Sequence, residues 1–423
     1  MNSWLLASLF VFIGMGIPVA FSIGLASLLY LVFSGMPLSL VAQRSVMGVY
    51  SYPFLALPFF VLAGMIMEHG GTTKRLMRLA NALVGHFKGG LAVVDVVVSM
   101  LFGALSGSGV GGTAAVGAIM IPAMKRRGYA GSFAAALEGT SGVLASVIPP
   151  SLTIVIIGVT GGVSIGRLFA AGIIPGIMTG LMLIVVAVII SHKRNYGGGE
   201  RVTFREFLSA AIGAVLPMLT PVIILGGIMG GIFTVTEAAV VAVMYSLFLS
   251  VILYREVRLK QLFSITLKSV QISGAIMIIV GTASLFGWII TAERIPQMLL
   301  NFFTVISPNK YVFLLYINVL LLILGTFMES SALVIILIPA LLPVVVNFGI
   351  NPVHFGIIFL LNLTIGANTP PLGVTLMTAA RIAEVRFYQA AVAVVPFLIA
   401  MLVSLILVIL IPQLTLFLPS LFF

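Results

Sequence analysis

The sequence predicts an all-α polytopic membrane protein made of two inverted repeats, each with a re-entrant helical hairpin and a broken transmembrane helix. Three observations lead there. Charge is scarce: of 423 residues, 21 are Lys or Arg and 10 are Asp or Glu, 7% in all, where a soluble domain carries about 25%. The apolar runs are long, with no charged residue between positions 1 and 43, 96 and 124, 207 and 236, 330 and 380, or 387 and 423. Each exceeds the roughly 20 residues that cross a ~30 Å hydrocarbon core. The third observation is a set of prolines and glycines that recurs at one fixed spacing. Continuously apolar runs exclude the short alternating strands of a membrane β-barrel.

The net charge of +11 does not indicate nucleic acid. The bases fall in short clusters between apolar runs, at Lys74/Arg75/Arg78/Lys88, Lys125/Arg126/Arg127, Lys193/Arg194/Arg201/Arg205 and Arg255/Arg258/Lys260/Lys268. That is how cytoplasmic loops look under the positive-inside rule. The absence of cysteine excludes disulfides, thiolate metal sites and cysteine nucleophiles. Met1-Asn2-Ser3 leads straight into apolar residues with no basic n-region, so the start reads as a first span and not a removable signal.

Pro122, Gly128, Pro149, Pro150 and Pro175 recur as Pro343, Gly349, Pro370, Pro371 and Pro396, all displaced by 221 residues. The basic linker from His192 to Arg205, with Gly197-Gly198-Gly199 inside it, divides a first repeat, 1–205, from a second, 206–423. In the first, spans are expected near 4–17, 18–34, 50–69, 130–160 and 170–191, and in the second near 208–231, 234–254, 269–291, 354–380 and 390–418. Between the third and fourth of each set lies an apolar run with small residues at its middle: 90–127, around Ser106-Gly107-Ser108-Gly109, and 311–346, around Gly325 to Ser331. Each reads as a hairpin that enters and leaves on one side. Five crossings per half is an odd number, so the halves are antiparallel, as in secondary transporters with inverted repeats. Bases flank the first hairpin, which therefore faces the cytoplasm, and the second faces the periplasm. Both termini then lie outside, and the 14-residue first segment is the weakest crossing.

Pro149-Pro150 stands inside the apolar stretch 130–163, and Pro370-Pro371 inside 354–382. Proline removes a helical hydrogen bond and clashes with the preceding turn, at about 3 kcal/mol or more, so each pair unwinds its span. Unwound backbone at membrane depth survives only inside protein or along a cavity. There it offers carbonyls to cations and helix N-termini to anions. A hairpin tip against each break places Ser106, Gly107 and Ser108 beside Ser146 and Ser151, and Thr326, Glu329 and Ser330 beside Asn368 and Thr369. Such oxygen-rich sites suit Na⁺ better than a divalent ion. One Pro-Pro pair alone is as well explained by a kink between packed helices; duplication of the whole constellation favours a functional site.

These residues resemble those of the large membrane subunit (DctM-like) of tripartite ATP-independent periplasmic (TRAP) transporters. The resemblance runs along nearly the whole chain: Gly16-Ile17-Pro18-Val19-Ala20, Pro58-Phe59-Phe60 with Ala63-Gly64, Ser106-Gly107-Ser108, Val147-Ile148-Pro149-Pro150-Ser151, Ala171-Gly172-Ile173-Ile174-Pro175-Gly176, Thr234-Val235-Thr236-Glu237-Ala238 and Thr369-Pro370-Pro371. It implies a sodium-driven elevator of the ion-transporter superfamily type in a bacterial inner membrane, taking up an organic acid such as a dicarboxylate or sialic acid. It also implies two partners, a small DctQ-like membrane subunit and a periplasmic substrate-binding protein of DctP or SiaP type. Carried onto this chain, a first Na⁺ site falls on Ser106, Gly107, Ser108, Ser146 and Pro149, and a second on Gly325, Thr326, Gly366, Asn368 and Thr369. Substrate falls between the tips, against Ser106, Ser108, Ser151, Glu329 and Ser330. Glu329 departs from the family pattern, where Asp is frequent, and this bears on substrate identity.

Among other ionisable groups in apolar surroundings, Glu237 follows Thr234 at a helix start and reads as a cap. Asp95 has Tyr316 at its repeat position and reads as an interhelical hydrogen-bonding residue, while Glu138 precedes the first break. Arg167 and Arg386 snorkel at the interface, and Trp4 and Trp288 anchor there. Gly107-Ser108-Gly109 with His354 is a poor hydrolase dyad, since it lacks an orienting acid and needs no duplication, so no enzyme is expected. A channel built on re-entrant hairpins is the alternative to a transporter.

Overall fold

The computed structural model describes residues 2–198, 202–306 and 309–423; Met1 and the linker residues Gly199 and Arg201 lie outside the described residues. Every regular element described is helical. The first half contains α1 (Asn2–Gly14), α2 (Val19–Phe33), α3 (Ser39–Val49), α4 (Ala56–His69) and α5 (Thr72–Val84). Then come α6 (Gly90–Ser106) and α7 (Gly109–Arg126), α8 (Gly131–Gly142) tightening into a 3₁₀ turn at Val143–Ser146, α9 (Leu152–Gly161) and α10 (Ile165–Lys193). The second half contains α11 (Phe204–Met229), α12 (Val235–Leu247) followed by a π-helical turn to Leu253, α13 (Leu259–Ala292) and α14 (Ile295–Ile306). It ends with α15 (Lys310–Gly325), α16 (Ser330–Asn347), α17 (Pro352–Gly366), α18 (Val374–Ala383), α19 (Phe387–Leu410) and α20 (Gln413–Phe422).

The 221-residue spacing governs these boundaries. Displacing α7 by 221 gives the bounds of α16 to the residue, and α9 lands within one residue of α18. Packing between the halves is reciprocal: α9 lies against α16 and α17, and α18 against α7 and α8. Likewise α2 lies against α13, and α12 against α4. Reciprocity of this kind, in which one element meets the counterpart of its own neighbour, is what a two-fold relation between halves produces.

Among the described residues, seven helices are long and apolar enough to cross a membrane: Tyr52–His69, Ile165–Lys193, Phe204–Met229, Val235–Leu253, Leu259–Ala292, Ser330–Asn347 and Phe387–Leu410. Their outward faces remain apolar. Along α19 the exposed aliphatic positions are Val392, Val395, Ile399, Val403, Ile406 and Leu410, a helical stripe suited to lipid and costly against water. The chain is a polytopic membrane protein.

Several elements differ from the sequence reading. The basic stretch after residue 72 forms a helix, α5, because Thr72, Thr73, Leu76 and Ala80 repeat at helical spacing and are buried, leaving Lys74 and Arg78 outward. The run expected at 4–17 yields only the 13 residues of α1, about 20 Å at 1.5 Å per residue, short of a full crossing. The span expected at 390–418 ends at Leu410, and Pro412 separates α19 from α20. The second-half helix α13 is continuous for 34 residues, whereas its counterpart is interrupted between α3 and α4. Pro53 stands there at the repeat position of Gly274, and proline disfavours helix in the residue before it. Glu237, by contrast, is the cap the sequence predicts: it closes a capping box at α12, its carboxylate accepting from the Thr234 backbone N–H at 2.8 Å.

Candidate functional site

The first hairpin tip rests on the first break. Helix α6 ends at Gly107, whose φ of +61° is the left-handed conformation glycine adopts without steric cost. The Gly107 carbonyl accepts from the Leu152 N–H at 3.2 Å. A Cβ on Gly107 would lie 2.8 Å from the Pro150 carbonyl oxygen, so only glycine lets the two backbones approach this closely. Ser108 begins α7, accepting from the Gly111 N–H, and a Cβ on Gly109 would lie 2.9 Å from Ser146 Oγ. Tip and break therefore form one structure, with the Pro149-Pro150 bond cis.

Ser151 closes this break from its far side. Its hydroxyl donates to the Ser146 carbonyl at 2.5 Å and accepts from the Ile154 N–H as the cap of α9. With the side chain 1% exposed and both functions used, Ser151 does not face open space. Ser106 lies behind the tip, its buried Oγ without a hydrogen-bond partner.

The second tip meets the second break by backbone contact. A Cβ on Gly366 would lie 2.6–2.9 Å from the backbone atoms of Gly325. Ala145, at the repeat position of Gly366, is approached in the same way by Gly103, whose added Cβ would be 2.7 Å from Ala145 Cα. Thr326 and Thr369 return their hydroxyls to their own chain, to the Ile323 and Ile365 carbonyls at 2.8 and 2.7 Å. Asn368 is fully buried; its amide donates to the Thr364 carbonyl and its oxygen accepts from Thr375 Oγ1 at 2.9 Å. Pro370-Pro371 is cis, as in the first half.

Thr375 escaped the sequence reading. Its hydroxyl lies 2.7 Å from the Ala367 carbonyl and 2.9 Å from Asn368 Oδ1. Ala367 is the repeat counterpart of Ser146, so in each half the carbonyl at this position is bonded by a hydroxyl from beyond the Pro-Pro pair: Ser151 in one, Thr375 in the other. The two hydroxyls occupy different repeat positions. A comparison of equivalent residues therefore misses the second one.

A cavity of about 630 Å³ opens between the two tips, within the range of small-ligand pockets. From the predicted residues it gathers Gly107, Ser108, Ser146, Glu329 and Ser330. Ser106, Pro149, Ser151, Gly325, Thr326, Gly366, Asn368 and Thr369 are not in its lining; they build the tips and breaks behind it. Four helices direct their N-terminal residues at the space: α2 through Val19 and Ala20, α7 through Gly109 and Val110, α9 through Leu152 and Thr153, and α16 through Ser330 and Ser331. Helix N-termini carry unpaired N–H groups and partial positive charge, and among the described residues no Lys, Arg or His lines the cavity. Glu329 is the one ionisable residue in its lining among the described residues. That carboxylate caps α16, accepting from the Ala332 N–H at 3.1 Å and from Ser331 Oγ at 2.8 Å. The remaining wall is apolar apart from Thr375, with Phe21, Ile272, Ile276 and Ile279 from α2 and α13.

Behind the tips, buried polar pairs lock each hairpin to its broken helix. Ser141 donates to Asp95 Oδ2 and Ser99 to Glu138 Oε2, both at 3.2 Å, with both acids fully buried. In the second half Asn362 donates to Asn318. Ser141 and Asn362 share a repeat position, so the location of the lock is duplicated and its chemistry is not. His354 Nδ1 lies 2.7 Å from Thr415 Oγ1 and is absent from the cavity lining, which leaves Ser108 without that base.

The family model described as the tripartite ATP-independent periplasmic transporter DctM component matches residues 6–414. The chain is similar to the sialic acid TRAP transporter large permease protein SiaM of Vibrio cholerae, 40% identical over 422 residues and covering 99% of each chain. It is also similar to the C4-dicarboxylate TRAP transporter large permease protein DctM of Pseudomonas aeruginosa, 42% identical over 369 residues, 87% of this chain and 86% of that one. Among solved structures, the Alcanivorax borkumensis YdaH transporter superposes with a TM-score of 0.62 at 13% identity, covering 90% of this chain and 87% of that one. At that identity the likeness concerns the fold alone.

Proposed function

The chain belongs to the DctM family of TRAP transporter large components, and from that premise we propose that it carries out sodium-coupled uptake of a small organic acid across the bacterial inner membrane by an elevator movement. The observation that carries the reading is the cavity between two hairpin tips, where four helix N-termini converge and no basic side chain is present. A carboxylate suits such a place: it accepts several N–H groups at once and is favoured by the helix dipoles. Relatives named for sialic acid and for C4-dicarboxylates support a carboxylate as the recognised group.

Na⁺ supplies the coupling. Its first site uses Ser106, Gly107, Ser108, Ser146 and Pro149, where the tip lies against the break, and its second uses Gly325, Thr326, Gly366, Asn368 and Thr369. The first draws hydroxyl and backbone oxygens from two segments and the second adds the Asn368 amide, and bound cations would offset the charge of Glu329 and the incoming acid. Substrate meets Ser108, Glu329 and Ser330 at the cavity, with Ser106 and Ser151 acting from behind. Two re-entrant hairpins and two broken helices form the moving body, and the α2–α13 wall belongs to the scaffold against which it slides. A small DctQ-like membrane subunit extends that scaffold, and a periplasmic substrate-binding protein delivers the acid.

The test is uptake in proteoliposomes containing this chain and its small subunit. Accumulation that requires both an inward Na⁺ gradient and the loaded binding protein is the expected result. Solute flux without the binding protein, at channel rates, would refute the proposal in favour of a pore.

A further inference from the structure

Two adjoining grooves at the basic end of the molecule are not used by the transport site. One, of about 640 Å³, lies between α5 and α11 and includes Arg75, Arg78, Asn81, Arg205 and Ser209. The other, of about 320 Å³, shares Arg78 and Asn81 and adds Arg126 and Arg127, over a floor of Met77, Leu91, Val94 and Met120. Five arginines thus line two grooves that meet at Arg78 and Asn81. Arg75 is fixed there: it pairs with Glu256 at 2.7 Å, and its guanidinium carbon stacks 3.5 Å over the Tyr254 ring. Arg78, Arg126 and Arg205 have no ion-pair partner among the described residues. The one carboxylate in the lining among the described residues, Glu206, is occupied in capping α11, accepting from the Thr203 N–H at 2.7 Å.

We propose that these grooves form a binding site for the headgroup of an anionic phospholipid. Guanidinium forks match phosphate oxygens geometrically, and basic pockets between membrane helices recognise phospholipid headgroups. The surroundings select a lipid over a free anion. On α11, one side lines the groove with Arg205, Ser209 and Gly213, and the adjoining side carries the exposed Leu208, Ile212 and Val215 down the same helix. A headgroup held at Arg78 and Arg205 would leave an acyl chain lying along that stripe, contact a soluble phosphate cannot make. Because α5 is bound to the α4–α6 segment and α11 begins the second half, the lipid would join the halves next to the linker.

The experiment uses the full chain in detergent. Photoactivatable phosphatidylglycerol is expected to label wild-type peptides of α5, α7 or α11, and photoactivatable phosphatidylcholine at equal concentration to leave them unlabelled. In thermal-shift titrations, phosphatidylglycerol should raise Tm, while inorganic phosphate at matched charge should not. The double variant Arg78→Gln/Arg205→Gln should lose about thirtyfold in apparent lipid affinity, whereas Arg294→Gln/Lys310→Gln, equal in charge and outside both grooves, should retain it. Label spread evenly over the chain, or equal lipid response in the two double variants, overturns the site. A Tm response to phosphate equal to that for the lipid overturns the choice of a lipid. The labelling pattern comes from the unmutated protein and stands even if the arginine variant fails to fold.

Discussion

Gly366 and Gly325 touch at the second tip, yet alanine at the two positions should have opposite consequences. A Cβ on Gly325 would sit 3.3 Å from Gly366 Cα, slightly tighter than ordinary contact, with its next neighbours at 3.8 Å or beyond. A Cβ on Gly366 would meet Gly325 C, Cα and O at 2.6, 2.7 and 2.9 Å, and backbone cannot swing aside as a side chain does. Relieving 2.6 Å to an ordinary 3.4 Å separates tip from break by about 0.8 Å. Overpacking of this kind costs about 1–3 kcal/mol, partly offset by up to about 1 kcal/mol of helix propensity gained over glycine. Gly366→Ala is therefore expected to destabilise the docked tip by about 1–2 kcal/mol, which weakens any ligand needing that geometry about five- to thirtyfold. In proteoliposomes the Na⁺ concentration for half-maximal uptake should rise accordingly, with expression maintained. Gly325→Ala should stay within about twofold of wild type. Equal behaviour of the two variants would refute the argument that the backbone contact holds the site.

Thr375→Val keeps the shape and removes the hydroxyl that serves the Ala367 carbonyl and Asn368; the carbonyl keeps the Thr375 N–H at 3.2 Å, but the fully buried Asn368 oxygen loses this donor, which should cost about 1–3 kcal/mol, read as a lower Tm and weaker Na⁺ dependence. Thr378→Val, whose exposed hydroxyl bonds only the Val374 carbonyl, is the control and should show neither change. Ser151→Ala removes the donor to Ser146 and the cap of α9 together, so a loss of about 1–2 kcal/mol in stability is expected, and an unchanged Tm would contradict the bridge. Ser108→Leu places a bulky side chain where α7 enters the cavity; uptake should fall to background while the folded fraction, followed by size-exclusion chromatography, is preserved.

Sequence legibility followed the physics of each feature. Scarce charge and long apolar runs reported the membrane, because burying charge in lipid is expensive at every position. Proline and glycine reported the breaks and tips, because their effect on backbone is local and survives without tertiary context. Amphipathic α5 was read as a loop because its bases signal sidedness as strongly as its buried Thr72, Leu76 and Ala80 signal a helix. What stayed hidden were features that exist only across contacts. Asp95 with Ser141 and Asn318 with Asn362 perform one task with different chemistries, so inspecting equivalent positions returns unlike residues. Thr375 does for the second break what Ser151 does for the first, from a position whose repeat counterpart is Ile154. The repeat thus conserves where a carbonyl must be satisfied and leaves free which residue satisfies it. Ser146 and Ala367 both line the cavity, so what a lost bridge removes is the hydroxyl's own hydrogen bond, about 1 kcal/mol net, which a hydroxyl from another position can restore. A Ser151→Ala chain should accordingly regain stability when a hydroxyl is introduced by Ile154→Thr, the counterpart of Thr375. Failure of that rescue, measured as no recovery in Tm, would mean that the two breaks are held by separate geometries.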